Sequence, residues 1–161
     1  MCERVLFYIA KGSAPWFDSC WGNCVINIDE STSRQEATIT CKCGTNMSFM
    51  FHKCSKLTSL DLSNFGSSNV TRMHSTFSDC SKLTTIDLSN FDTSKVWIMQ
   101  SMFENCSNLT TIKGVIDMKS CNDCYNIFRN CPKLKDVKIK NPPSWFARKG
   151  GLSKSQYTIV S

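Results

Sequence analysis

Cysteine is the residue type with the most chemical potential in this sequence, which contains 11 cysteines among 161 residues. Near the N-terminus, a C-x3-C and a C-x-C spacing include Cys20, Cys24, Cys41 and Cys43. Four thiolates can hold a structural zinc ion in tetrahedral geometry. Because the spacing departs from the common C-x2-C knuckle, buried thiols or a disulfide between Cys20 and Cys24 are the competing interpretations.

Other cysteines fit a packed core better than a reactive site. Cys121 and Cys124 form a C-x-x-C pair that suggests redox chemistry, but both fall on apolar positions of an internal repeat. Four further cysteines share one repeat position: Cys54, Cys80, Cys106 and Cys131. A small buried thiol packs well at such a position, so the sequence predicts an inward-facing column of free thiols.

The residues that usually support catalysis are sparse. The only histidines are His52 and His74, and each follows an apolar repeat residue at a position that we expect to face outward. The spacing forces no Ser/His/Asp or Cys/His arrangement, and no glycine-rich phosphate loop occurs. The sequence therefore predicts a protein that is not an enzyme and has no cofactor, apart from the zinc alternative.

The elements that position these residues follow from an internal repeat over residues 47–139. Residues 54–65 read CSKLTSLDLSNF and residues 80–91 read CSKLTTIDLSNF. One apolar position of the repeat is Phe51, Phe77, Phe103 and Phe128. A period of 20–29 residues with an L-x-x-L-x-L core is typical of leucine-rich repeats.

Each unit has two apolar patterns. Leu57, Leu60 and Leu62 alternate with polar residues, as in a strand with one buried face. Val70, Met73 and Phe77 follow at spacings of three and four, which predicts a short helix or helical turn. The sequence therefore predicts an α/β solenoid, a stack of about four leucine-rich units with a strand and a short helix each.

The units resemble the leucine-rich repeats of the BspA-like bacterial surface-protein family, with the pattern F-x-x-C-x-x-L-x-x-L/I-D-L-S-N-F-x-T-S-x-V-x-x-M. The resemblance covers about residues 47–140 and implies a bacterial or phage protein whose repeats form a binding surface. The third unit departs from the pattern, because IKGVID replaces IDLSNF and Cys121 and Cys124 replace Val96 and Met99. We expect a less regular third strand.

The length predicts one structural domain with three parts: an N-terminal cap at 1–46, the repeats at 47–140 and a C-terminal cap at 141–161. Alternating residues at 24–29 and 36–43 predict a β-hairpin in the first cap. After Pro142 and Pro143, the sequence predicts a helical turn closed by glycines and a last strand.

No membrane span is predicted, because no apolar run approaches 18 residues. The N-terminus lacks the features of a signal peptide. We therefore expect the cytoplasm of the host cell, with the cell surface or the virion as the alternative.

The charge is concentrated at one end of the chain. Residues 129–161 carry eight basic residues and one acidic residue, hence +7, whereas residues 1–128 carry eleven basic and twelve acidic residues, hence −1. The row at the fifth strand position is Asp61, Asp87, Lys113 and Lys138, and Lys140, Arg148 and Lys149 extend it towards the basic end. The resemblance implies that this row is the docking surface, although each residue alone is also compatible with an ordinary solvated strand.

Trp97 is the remaining candidate contact residue. Its repeat equivalents are the polar residues Thr71 and Asn122, so its position is predicted to face solvent. Exposed aromatic residues are enriched among interface hot spots. The alternative is that Trp97 lies flat over Met73 or a neighbouring helix.

These observations favour a non-enzymatic module that binds a protein through the repeat face and the basic C-terminal end. Size and family context suggest an intracellular phage-encoded inhibitor of a host defence system, in the manner of an anti-CRISPR. A surface adhesin or phage receptor-binding module is one alternative. A nucleic-acid-binding protein is another, in which the basic end binds phosphates and Trp145 or Phe146 stacks on bases.

Overall fold

The ordered elements are short strands joined by turns. A computed structural model describes residues 24–28, 37–41, 45–60, 62 and 67–161. The elements are β1 (Cys24–Ile28), β2 (Ala37–Cys41), β3 (Thr85–Asp87), β4 (Thr111–Lys113), β5 (Val115–Asp117), β6 (Val137–Lys140), α1 (Phe146–Lys149), a 3-10 turn (Lys154–Gln156) and β7 (Tyr157–Val160). β1 and β2 pair antiparallel within the two segments predicted to form a hairpin. The rest of residues 1–44 lies outside the described residues.

A column of phenylalanine rings runs through the core. Phe51, Phe77, Phe103 and Phe128 stack in sequence order, with centroids 5.4, 5.1 and 5.7 Å apart and interplanar angles of 1°, 11° and 4°. All four rings are buried within one hydrophobic cluster. Because one unit exposes its apolar side unless another unit covers it, this column stabilises the units only as a stack.

Among the described residues, strands β3 to β7 form two parallel sheets, β3–β4 and β5–β6–β7, with a break between them. β3 pairs with β4, so Asp87 lies opposite Lys113. β6 pairs with β5 and β7 on its two sides, and Lys138 lies opposite Val115. The predicted alignment of Lys138 with Lys113 is therefore wrong, because Val115 occupies the position opposite Lys138.

Gly114 explains this break. It separates β4 from β5 and has a φ of 91°, a left-handed conformation that glycine adopts without steric cost. A Cβ atom at this position would lie 2.7 Å from the backbone carbonyl of Leu88. The substitution of IKGVID for IDLSNF thus allows a sharp bend and an extra strand, which confirms the less regular third unit.

The second half of each unit is not helical, so the predicted short helix is wrong. Residues 74–79, 100–105 and 125–130 form consecutive turns. Alternate N–H groups donate to the neighbouring unit, as from Phe77 to Met102 at 2.9 Å and from Asp79 to Glu104 at 2.9 Å. The intervening N–H groups donate three residues back, as from Ser78 to Ser75.

Left-handed residues maintain this alternation. Positive φ angles recur at matching positions of successive units, including Asp79, Asn105 and Asn130 with φ of 62°, 63° and 59°. An α-helix requires negative φ throughout and directs its N–H groups along its own axis. The apolar spacing of three and four therefore arises here from stacked turns.

The cysteine column is largely as predicted. Cys80, Cys106 and Cys131 are buried free thiols whose Sγ atoms donate to the carbonyls of Phe51, Phe77 and Phe103 at 3.1, 3.1 and 3.0 Å. Cys54 is disulfide-bonded, so the prediction of a free thiol is wrong at that position. Cys121 and Cys124 are buried free thiols, which confirms their placement in the core.

The C-terminal segment covers the last repeat. The predicted helical turn is confirmed as α1, which ends at Lys149 with Gly150 as its C-cap, and the predicted last strand is confirmed as β7. Phe146 is 2% exposed and packs edge-on against Phe128 and Tyr157, with centroid distances of 6.4 and 5.5 Å. Within the part of the chain that the structure describes, no helix is long and apolar enough to cross a membrane.

Candidate binding surfaces

The strand surface consists of the outward side chains of β3, β4 and β6, namely Asp87, Lys113, Lys138 and Lys140. Asp87 and Lys113 form an ion pair with an Nζ–Oδ2 distance of 3.6 Å, and their side chains are 51% and 63% exposed. Hydrogen bonds from Ser89 and the nearby Lys113 ammonium lower the pKa of Asp87. An exposed pair of this kind contributes little to stability. These two charges partly neutralise each other.

The other described members of the predicted row lie outside the β3–β4 sheet. Lys138 and Lys140 extend from β6, opposite Val115 and Asp117 of β5. Arg148 is exposed on α1. Asp61 lies outside the described residues. The structure therefore brings together Asp87 with Lys113 and Lys138 with Lys140, but not all of them in one row.

A second surface lies on a different ladder of the stack. Isolated parallel bridges join Asn46 to Arg72, Arg72 to Ile98, and Ile98 to Asp123. One residue further along, Met73, Met99 and Cys124 are fully buried in the core. Because side chains alternate in direction along an extended chain, the residues that flank these three point outward.

The side chains on this ladder and at α1 define an aromatic–basic surface, made of Arg72, His74, Trp97, Tyr125, Trp145 and Lys149. Trp97 is 37% exposed, in agreement with its predicted exposure. The Arg72 guanidinium carbon lies 5.0 Å from the centroid of the Trp97 ring. A guanidinium over an indole is a favourable cation–π arrangement.

The C-terminal cap extends the aromatic–basic surface. Trp145 stacks on Tyr125 with a centroid distance of 4.7 Å and an interplanar angle of 22°. Lys149 Nζ lies 4.6 Å from the centroid of the same Tyr125 ring. At the other end, Phe49 is 47% exposed and packs edge-on against His74 at 4.7 Å. Trp97 and Lys149, predicted separately, thus each pair with a residue of the opposite kind, Trp97 with Arg72 and Lys149 with Tyr125.

A polar groove of about 560 Å³ follows the left-handed turn residues, lined by Lys53, Ser55, Asp79, Ser81, Asn105, Ser107 and Asn130. Asn105 Nδ2 donates to Asp79 Oδ1 at 2.8 Å, and Asn130 Nδ2 donates to Asn105 Oδ1 at 2.7 Å. Each amide therefore satisfies the next along the stack. This ladder holds the turns in register.

The zinc prediction concerns the N-terminal region. Cys20 and Cys43 lie outside the described residues, and Cys24 and Cys41 are described only as opposed backbone positions of β1 and β2. Among the described residues, no group of three or more metal-ligating side chains occurs. Zinc stays a prediction.

The repeat region also determines the family. Residues 31–141 match the family described as Mycoplasma protein of unknown function, DUF285. The chain belongs to this family. The DUF285 match includes all of the repeats predicted at 47–140, together with β2 of the hairpin. No curated protein and no solved structure matches the chain.

Sequence reasoning singled out Trp97, Lys149 and Trp145 but missed Arg72 and Tyr125 as their partners. Arg72 and Trp97 lie 25 residues apart, one residue less than the repeat period, so aligning equivalent positions does not pair them. A signal was present, since Arg72 and His74 on the two sides of buried Met73 are polar. Reading these segments as strands would have revealed the surface.

Proposed function

We propose that this DUF285 protein is a short leucine-rich-repeat solenoid of the BspA-like kind and acts as a non-enzymatic protein-binding module. The solenoid assignment draws on the column of stacked phenylalanine rings and on hydrogen bonds that link each unit to the next. Such stacks offer long surfaces on which side chains from successive units combine. Protein recognition is the usual use of these surfaces.

The exposure of Trp97 beneath Arg72 is the observation that carries this proposal. Neighbouring units have Thr71 and Asn122 at the equivalent position, so folding alone does not require an indole there. Tryptophan, tyrosine and arginine are the residue types enriched among hot spots of protein interfaces. The aromatic–basic surface contains all three.

The strand surface is the second part of the proposed interface. Its exposed aspartate and lysines resemble an interface rim, where charges affect the rate and specificity of association more than affinity. An inhibitor of a host defence system is the narrower use that we propose for such a module. The basic residues of β6 and α1 would then face acidic groups of the target.

Affinity capture tests the proposal. The tagged protein, its Trp97→Thr variant and a Lys119→Gln control are each incubated with a bacterial lysate and with intact cells. Trp97→Thr introduces the residue of the preceding unit, so we expect the fold to persist, as circular dichroism would verify. We expect a defined protein that is retained by wild type and Lys119→Gln but lost with Trp97→Thr.

The two fractions separate the alternatives. Retention on intact cells, with nothing captured from lysate, would replace the intracellular inhibitor with an adhesin or receptor-binding module. Capture of nucleic acid that survives Trp97→Thr but is lost with Lys138→Ala and Lys140→Ala would instead support nucleic-acid binding. Phe146 cannot take part in base stacking in that case, because it is buried in the core.

A further inference from the structure

We infer that the aromatic–basic surface recognises a carboxylate-rich segment of a partner protein, with Arg72 and Lys149 as the anion contacts. This inference rests on the proposed protein-binding function and adds the chemical class of the partner segment. It also places the principal contact on the aromatic–basic surface rather than on the strand surface.

The two cations are held over aromatic rings. Arg72 lies over Trp97 at 5.0 Å, and Lys149 lies over Tyr125 at 4.6 Å. Packing against a ring restricts the long side chain and leaves the charged end free for a second contact. Because less conformational entropy is then lost on binding, such preorganisation increases affinity.

Neither cation is neutralised within the described part of the chain. The ion pairs there join Lys113 to Asp87 and Arg129 to Glu104, and His52 Nδ1 lies 3.8 Å from Asp79 Oδ2. Arg72, Arg148 and Lys149 belong to none of them. Lys138 and Lys140 of the strand surface also belong to no ion pair among the described residues, but Arg72 and Lys149 are in addition held over aromatic rings.

The acidic side chain on the same ladder is Asp123. It is half-buried, and its Oδ1 atom is buried without a hydrogen-bond partner in the described structure. Two bridges separate Arg72 from Asp123 along the ladder, through Ile98. Strands of a ladder lie about 4.8 Å apart, which places these backbones roughly 10 Å from each other. Asp123 forms no ion pair with Arg72 in the described structure.

The occupied aromatic faces favour a peptide carboxylate over a nucleic acid. A guanidinium fork binds a carboxylate or a phosphate through two parallel hydrogen bonds, so the rings beside it decide between the two. Single-stranded nucleic acids bind instead by stacking bases on open aromatic faces. Tyr125 already has Trp145 stacked on it and Lys149 over its ring, and Trp97 carries Arg72. The rings therefore serve as an apolar floor beside the cations.

Selection from a random dodecapeptide display library tests the inference, because it reports the chemistry of the preferred segment directly. The immobilised full chain is panned in parallel with three variants: Arg72→Gln with Lys149→Gln, Lys138→Gln with Lys140→Gln, and Lys119→Gln. We expect wild type and the third variant to enrich peptides rich in aspartate and glutamate, the first variant to lose this enrichment, and the second variant to reduce it less than the first. A selected peptide should bind the first variant about tenfold or more weakly, as expected for charge-assisted hydrogen bonds.

Each alternative result identifies what fails. Acidic peptides that persist with Arg72→Gln and Lys149→Gln but disappear with Lys138→Gln and Lys140→Gln would overturn the assignment to this surface and leave protein binding intact. Peptides without acidic enrichment would overturn the carboxylate class. A selection that yields no binder from any variant would count against both proposals. Unchanged thermal melting of the variants shows that lost binding is not lost folding.

Discussion

Asn105 offers a test of whether the second half of each unit is a chain of left-handed turns or a helix. Its φ is 63°, and its amide donates to Asp79 and accepts from Asn130. Substitution by alanine or by glycine removes the same two hydrogen bonds. The difference in unfolding free energy between the two variants therefore reports on the backbone conformation.

The sign of that difference distinguishes the two structures. Alanine in the left-handed region costs about 1–2 kcal/mol, whereas glycine adopts it freely. The greater entropy of glycine in the unfolded chain offsets about 0.4–1 kcal/mol of this advantage. We therefore expect Asn105→Gly to be more stable than Asn105→Ala by about 1 kcal/mol. In a helix, glycine would instead be less stable than alanine by about 1 kcal/mol.

Urea titration followed by circular dichroism measures both variants. For a chain of this size, 1 kcal/mol corresponds to about 2–4 °C in the melting temperature, so thermal scans provide a second measurement. Ser107 is a matched control, because it lies in a turn without positive φ, and there alanine should be the more stable variant. An Asn105→Ala protein that is as stable as Asn105→Gly, or more so, would refute the turn structure.

The core and its ionisable groups provide four further predictions. Phe103→Ala should reduce the free energy of unfolding, measured in urea, by about 3–5 kcal/mol, because the ring is fully buried between those of Phe77 and Phe128. A loss below about 2 kcal/mol would contradict the stacked column. Gly114→Ala should lower the melting temperature, since its Cβ would meet backbone at 2.7 Å in a left-handed conformation, and an unchanged melting temperature would argue against this bend. Burial raises the pKa of Cys80 and Cys131 to about 12, so almost no reactive thiolate is present at neutral pH. Mass spectrometry should therefore show alkylation of these two thiols by iodoacetamide only after unfolding. Rapid labelling of the folded protein would disprove their burial. Burial lowers the pKa of His52 below 6.5 despite a nearby carboxylate, so the unfolded chain binds more protons at this residue than the folded chain does. The stability of the fold should therefore decrease as the pH falls below about 6.5. His52→Gln should flatten this dependence in melts over a pH series, and an equally steep dependence would exclude His52 as its source.

The repeat period and the core could be predicted because burial leaves a direct record in residue type. Phe77 and Phe103 recur at one position since only a large apolar ring fills the column there, and Cys80 and Cys106 recur since a small side chain fits beside it. The C-terminal turn and strand were also predictable, because glycine ends the turn and the apolar residues of QYTIV provide a side to bury. These inferences need only apolar spacing.

The helix prediction failed because apolar spacing of three and four does not distinguish a helix from a chain of stacked turns. Val96, Met99 and Phe103 satisfy both. The distinguishing signal was polar, namely asparagine or aspartate at matching positions such as Asp79 and Asn105, since these residues tolerate the left-handed conformation. The register change at Gly114 was harder to predict, because it depends on the close approach of the Leu88 backbone from another unit.

The candidate binding residues were only partly predictable for a related reason. A repeat alignment identifies residues that differ from their equivalents, such as Trp97, but it does not reveal which residues of neighbouring units they contact. Arg72 contacts Trp97 because two extended segments lie side by side, with an offset one residue shorter than the repeat. Sequence comparison within the repeat therefore finds single exceptional residues, and the ladder geometry is needed to assemble them into a surface.

The two surfaces differ in how their cations are held, and under the proposed function this difference predicts which one would contribute more to affinity. Asp87 and Lys113 on the strand surface already form an ion pair, so a partner would have to replace that pair to gain an equivalent contact. Among the residues that the structure describes, Arg72 and Lys149 form no ion pair, and each lies over an aromatic ring. A carboxylate placed there gains a charge-assisted hydrogen bond and contacts an apolar floor. We therefore expect the aromatic–basic surface to provide most of the affinity for the proposed partner, and the strand surface to affect the specificity and the rate of association.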